Sequence, residues 1–208
     1  MRAFLYTGGE IFPEGITERP GEGDLILAAD AGYRNALALG VTPNILLGDM
    51  DSLGLSDLPN GLTVLRVPAE KDFTDTQMGV EEALKRGANE LIIIGGLGGR
   101  VDHELSNLAI LEQLTVSKIP AVLTNGKSRA RFLRDGSTLL PRAPHFLYLS
   151  LIAADKKVCG VTVKGCKYPL KNAKLSRLNQ YAVSNEITEN CALVSVKRGG
   201  VWVIESRD

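Results

Sequence analysis

The stretch PNILLGDMDSL, residues 43–53, decides how the chain is read. Ile45, Leu46 and Leu47 form a short, wholly apolar run, the pattern of a strand covered on both faces. Two carboxylates, Asp49 and Asp51, follow it at once. The same sequence of apolar run, then glycine or acid, recurs along the first two-thirds of the chain. Ala3–Tyr6 ends at Gly8-Gly9, and Asp24–Ala29 ends at Asp30. Thr63–Val67 precedes Asp72 and Asp75, Leu91–Ile94 precedes Gly95–Gly99 and then Asp102, and Ala121–Thr124 ends at Asn125-Gly126. Helical patterns fall between these runs, over about Tyr33–Leu39, Thr74–Arg86 and Asp102–Leu114, with Gly40 and Gly87 as stop signals. Strands of this kind alternating with helices predict a mainly parallel sheet with flanking helices, an α/β domain. In such a sheet every strand delivers its carboxyl end to one edge, where ligands bind.

From about Gly136 the pattern changes. Phe146–Ile152, Val158–Val163, Ala192–Val196 and Val201–Ile204 are short, rich in β-branched or aromatic residues, and separated by turn residues. They predict a smaller, antiparallel all-β domain. The expected division is therefore 1–135 for the α/β domain and 136–208 for the β domain.

The convergence of carboxylates carries the chemistry. Two unit charges 4 Å apart repel by about 4 kcal/mol at an effective dielectric near 20. That is a large share of a net stability of about 5–15 kcal/mol. Gathered carboxylates must be protonated, kept apart, or set around a cation. Oxygen ligands without thiols or imidazoles favour magnesium or calcium over zinc. Each cluster also has a structural explanation. Asp49 and Asp51 suit a turn with a helix cap, Asp72 suits an N-cap, and Asp75 suits the positive end of the next helix. The glycines at 95, 96, 98 and 99 let backbone N–H groups approach an anion, and Arg100 adds a planar cation suited to phosphate. They equally suit a tight turn. NGKS at 125–128 is not a phosphate-binding loop, because position 121 is Ala121 and no helical pattern follows. His103 is read as a first-turn residue and not as a general base.

The composition narrows the class. Among 208 residues, 44% are apolar and 23% charged, an ordinary globular balance. Lys plus Arg equals Asp plus Glu at 24 each, so no overall basic field exists to gather nucleic acid or anionic lipid. The three cysteines form no CxxC pair, and with only two histidines a zinc site or a disulfide framework is not expected. No apolar run is long enough for a membrane span, and the N-terminal apolar run is too short for a signal peptide. A cytoplasmic protein with reduced thiols is expected.

Six segments together resemble the thiamine pyrophosphokinase family: ADAGYRNAL (29–37), PNILLGDMDSL (43–53), EKDFTDTQ (70–77), GGLGGRVDHELSNLAIL (95–111), GCKYPLKNAKLS (165–176) and VSNE (183–186). They occur in the family's order and span nearly the whole chain. The resemblance implies an α/β catalytic domain joined to a β-sandwich, acting as a homodimer. It implies transfer of a pyrophosphoryl group from ATP to the hydroxyl of thiamine, with release of AMP. Asp49 and Asp51, of the GDxDS motif, would bind Mg2+ together with Asp75 and Asp102. Asp75, Asp102 and Arg100 would serve catalysis. Asp30, Lys71, Asp72, Gly96, Gly98, Gly99 and Arg100 would bind ATP, and Tyr168, Ser184 and Asn185 would form the thiamine pocket. Two departures stand out. Met50 replaces a phenylalanine common in GDxDS, and Ala31 replaces a glycine of the early motif. Neither removes a charge.

Overall fold

The computed structural model describes residues 1–48, 61–66 and 73–208. The chain divides into two compact units, one of residues 1–110 and 119–126, the other of residues 111–118 and 127–208.

In the first unit the apolar runs form six parallel strands: β1 Arg2–Tyr6, β2 Leu25–Ala29, β3 Ile45–Gly48, β4 Thr63–Arg66, β5 Glu90–Ile94 and β6 Ala121–Thr124. Their order is β4-β3-β2-β1-β5-β6, and each neighbouring pair among them is parallel. β1, β3 and β5 are apolar on both faces because both faces are covered. Phe4 and Tyr6 point to one side, into a cluster with Tyr33, Ala36, Leu46, Ile92 and Ile94. Leu5 points to the other side and is fully buried.

Three helices connect the strands: α1 Gly32–Ala38, α2 Asp75–Lys85 and α3 Val101–Val116. All three expected helices are present, with ends shifted by a residue or two. The cap of α2 falls on Thr74, not on Asp72. Gln77 donates its N–H to Thr74 Oγ1 at 3.2 Å, and Thr74 N–H reaches Gln77 Oε1 at 3.0 Å. That reciprocal pair satisfies two N–H groups the helix cannot bond internally.

The second unit holds two antiparallel sheets. One orders β7 (Ser128–Arg134), β13 (Gly200–Ser206) and β9 (Tyr148–Ala153). The other orders β11 (Leu170–Leu175), β10 (Val158–Lys164), β12 (Cys191–Ser195) and β8 (Ser137–Pro141). Leu149, Leu151, Val201 and Val203 of the first sheet share one core with Leu140, Val161, Val163, Ala192 and Val194 of the second. This is the expected sandwich. β7 begins at Ser128, the last residue of NGKS, so a strand and not a helix follows that stretch, as expected.

One charged group lies deep in this sandwich unit. Glu205 is 1% exposed and accepts from Arg129 at 2.9 and 2.8 Å and from Arg131 at 2.6 Å. Arg129 also lies 4.6 Å from the centre of the Phe146 ring. Removing one partner of such a network leaves buried charge uncompensated. Glu205→Ala is therefore expected to destabilise the protein by about 3–5 kcal/mol in urea denaturation. An unchanged midpoint would refute that account.

Candidate active site

The strand order reverses at β1, which pairs with β2 on one side and β5 on the other. The chain leaves β1 as Thr7-Gly8-Gly9, β2 as Asp30 and β5 as Gly95-Gly96. The three exits diverge from one edge and leave a cleft of about 330 Å³ between them. This is the position where open parallel sheets bind ligands. Asp30, Asp75, Gly96, Gly99 and Arg100 line it, with Thr7, His103, Glu104 and Asn107 among the remaining walls.

Asp30 adopts a left-handed backbone, with φ of 43°. Its N–H bonds Leu47 at 2.9 Å, and its carbonyl accepts from Tyr33 at 3.0 Å. This ties the end of β2 to the end of β3 and starts α1. Its carboxylate overlies Gly48, where a Cβ would come within 1.7 Å of Asp30 Oδ1. Only glycine fits at 48, which accounts for the first letter of the GDMDS motif.

Asp75 is the first residue of α2, so the helix dipole favours its ionised carboxylate. Gly99 donates its N–H to Glu104 Oε1 at 2.8 Å. Arg100 forms a two-pronged pair with Asp102, at 3.1 Å through Nε and 2.6 Å through Nη2. That guanidinium holds the Asp102 carboxyl down to about 2, with the His103 N–H at 3.0 Å adding to the effect. Both side chains of the pair are largely exposed. Gly98 and Asp102 adjoin the cleft without lining it.

Asp49, Asp51, Lys71 and Asp72 lie outside the described residues. Among the described residues, no group of three or more His, Cys, Asp or Glu is set to hold a metal ion. Three carboxylates reach the cleft, those of Asp30, Asp75 and Glu104, with the imidazole of His103 and no thiol. A donor set made mainly of oxygens suits a hard divalent ion better than zinc.

Two residues of the site carry no acid–base signal in the sequence. Asn107 is 4% exposed and donates to the carbonyl of Gly96 at 2.9 Å. Gly96 has φ of 70°, and a Cβ there would come within 2.6 Å of Asn107 Nδ2. Asn35 donates to the carbonyls of Thr7 and Gly9 at 2.8 and 3.0 Å. A clue does exist for Asn107. It begins the stripe 107-110-111-114, whose other members are buried Ile110, Leu111 and Leu114. A polar residue on a buried helical stripe requires a partner.

The sandwich unit has its own cleft, of about 160 Å³, lined by Leu149, Leu151, Tyr168, Tyr181, Val183 and Asn185. The Asn185 side chain accepts from Tyr168 N–H at 2.9 Å and donates to its carbonyl at 2.7 Å. Its backbone pairs with Leu149 in both directions, at 2.7 and 3.0 Å. Tyr168 is 59% exposed. Ser184, with φ of 55°, donates its N–H to Ser150 Oγ at 3.0 Å beside the cleft.

Comparison with known proteins accords with this two-part layout. Residues 21–123 match the family described as thiamin pyrophosphokinase, catalytic domain, and residues 137–201 match thiamin pyrophosphokinase, vitamin B1 binding domain. The chain is 27% identical to thiamine pyrophosphokinase of Bacillus subtilis (strain 168) over 197 residues, 93% of this chain and 92% of that protein. The crystal structure of the Bacillus subtilis thiamine pyrophosphokinase superposes with a TM-score of 0.90 at 25% identity, covering 100% of both chains. That of the thiamin pyrophosphokinase family protein from Enterococcus faecalis gives 0.82 at 29% identity, again covering 100% of both. With its α/β part and its sandwich part each matched to the corresponding domain, the chain belongs to the thiamine pyrophosphokinase family.

Proposed function

We propose that the protein transfers the pyrophosphoryl group of ATP to the hydroxyl of thiamine, giving thiamine diphosphate and AMP. The observation that carries this reading is the gathering of Asp30, Asp75, Gly96, Gly99 and Arg100 round one cleft at the carboxyl edge of a parallel sheet, in a chain of this family. The thiamine hydroxyl oxygen attacks the β-phosphorus of ATP. A bond forms between that oxygen and phosphorus, the bond to the oxygen bridging the α- and β-phosphates breaks, and AMP leaves. Arg100, with the glycines before it, is assigned to the phosphate chain, together with Asp30, Lys71 and Asp72. Asp49, Asp51, Asp75 and Asp102 would hold Mg2+, whose contribution when bound is to neutralise charge on the phosphate oxygens.

The hydroxyl proton needs an acceptor. Asp102 has both carboxylate oxygens engaged by the fork of Arg100, whose guanidinium holds its carboxyl low. Its role is then to orient Arg100, and Asp75 is assigned the proton. Tyr168, Ser184 and Asn185 are assigned to thiamine. By role, residues 1–135 are assigned to ATP and metal binding and residues 136–208 to thiamine binding and dimerisation of a homodimer, although β7 belongs to the sandwich unit. No described helix is long and apolar enough to cross a membrane, and we place the enzyme in the cytoplasm.

Incubation with ATP, Mg2+ and thiamine should yield AMP and thiamine diphosphate in equal amounts. Chelation of the metal should stop the reaction. ADP or free phosphate as the product would overturn the reading. Asp75→Asn should lower kcat by about a hundredfold or more, in line with the loss of a positioned base. A turnover equal to wild type would remove Asp75 from that role. The Arg100–Asp102 pair should survive throughout the neutral range and be released only as pH falls through about 2. In Arg100→Gln, the Asp102 carboxyl followed by NMR should titrate higher, toward the usual carboxylate range. An unmoved titration would show that the guanidinium is not the cause.

A further inference from the structure

Asn107, in the wall of the cleft, and Asn35, on α1, both act on backbone carbonyls of the turns that line it. Asn35, from α1, holds the carbonyls of Thr7 and Gly9. Asn107, from α3, holds that of Gly96. The two turns are joined directly as well, because Gly96 donates its N–H to the Gly8 carbonyl at 2.9 Å. Asn125 reaches the Leu97 carbonyl at 3.4 Å. The carbonyl oxygens of Thr7, Gly8, Gly9, Gly96 and Leu97 are thus each bonded within the protein. The N–H groups of Gly8, Gly9, Leu97 and Gly98 donate to no protein acceptor among the described residues. Gly8, Gly9 and Leu97 line the cleft.

This arrangement sorts the peptide dipoles. A glycine-rich turn can present either end of its peptides to a ligand. A carbonyl facing the cleft would repel a phosphate oxygen, whereas an N–H would bind it. We propose that Asn35 and Asn107 are positioning residues for the phosphate chain, which tie down the carbonyls of Thr7, Gly9 and Gly96 and so leave the N–H groups of Gly8, Gly9 and Leu97 for the anion. The Gly8-Gly9 turn thereby joins the Gly95–Gly99 loop as a second phosphate-binding element. This inference rests on the reading of the cleft as the ATP site.

The side chain required is a donor of this length. Asn→Asp keeps the shape and replaces the NH2 donor by an oxygen facing a carbonyl oxygen. Asn107→Asp and Asn35→Asp should each raise the KM for ATP by about tenfold or more, the worth of at least one hydrogen bond. The KM for thiamine should stay within about twofold and kcat within about threefold. Titration calorimetry with ATP, without thiamine, should give a matching loss of affinity. A merely structural role would lower the melting temperature yet leave the KM for ATP of the folded enzyme at its wild-type value. That result, or a fall in kcat with the KM for ATP unchanged, overturns the proposal. If Asn107→Asp does not fold, Asn35→Asp carries the same test. A wild-type protein that binds ATP without transferring to thiamine would refute the proposed reaction, and a tenfold loss of ATP binding in the variants would still uphold the positioning role. A wild-type protein that does not bind ATP overturns both.

Discussion

The parallel pairing of β1 with β2 on one side and β5 on the other is the constraint on which the cleft depends. Parallel strands cannot be joined by a tight hairpin, so each connection must cross a face of the sheet. Every strand then delivers its following residues to the same edge. Where the order reverses, the connections leave in opposite directions and the edge opens. Thr7, Asp30 and Gly95 come together there although 88 positions of sequence separate the first from the last. The backbone continues the sheet's pattern a little beyond the strands. Thr7 N–H reaches Ile94, Gly95 N–H reaches Thr124, and Gly96 N–H reaches Gly8, at 2.8, 2.8 and 2.9 Å.

That convergence has an electrostatic consequence. Carboxylates at neighbouring strand ends repel unless each has a local counterweight. The described ones meet this in different ways. Asp75 stands at the start of α2, where the helix end favours negative charge. Asp102 is matched by the fork of Arg100. Asp75 lines the cleft, and the Arg100–Asp102 pair stands exposed beside it. The sandwich unit solves a related problem in the opposite setting. Glu205 is buried, so its charge is matched by two guanidiniums, which together fill the lone pairs that water cannot reach.

How much of this was legible in the sequence depended on whether a residue's partner was local. β1, β3 and β5 are runs apolar on both faces, and such runs are visible without knowledge of the fold. α2 begins with its own cap and first-turn acid, so its start could be read to within a residue. β7 was hidden. Its sequence SRARFLR sets Arg129 and Arg131 on one face, where charge reads as solvent. That face is turned inward because Glu205 waits 76 positions later. β11, LKNAKL, was hidden by its exposed lysines and by irregular register against β10. In the site, Asp30, Asp75 and Arg100 were legible because charge beside a strand end is informative alone. Asn35 was not, and Asn107 showed only as a polar residue on a buried stripe, since their partners are carbonyls of turns that do not exist until β1 and β5 lie side by side.

The three asparagines that frame the clefts share a physical reason for being asparagine. A carboxamide has the donor and acceptor of a peptide group on a short, stiff stem. Asn185 uses both at once on Tyr168, as a strand neighbour would, and so extends the sheet edge beside the smaller cleft without a strand. Asn35 uses its NH2 on two carbonyls of one turn, and Asn107 on one carbonyl of the other. An aspartate has no donor for these carbonyls, and a glutamine would carry its amide a methylene too far for the same geometry. Loops that present their backbone to a ligand can bond to each other at few points, here through Gly96 N–H and the Gly8 carbonyl. Side-chain amides from the neighbouring helices and loops replace those missing bonds, and the turns keep their shape while one side of each peptide stays open to the cleft.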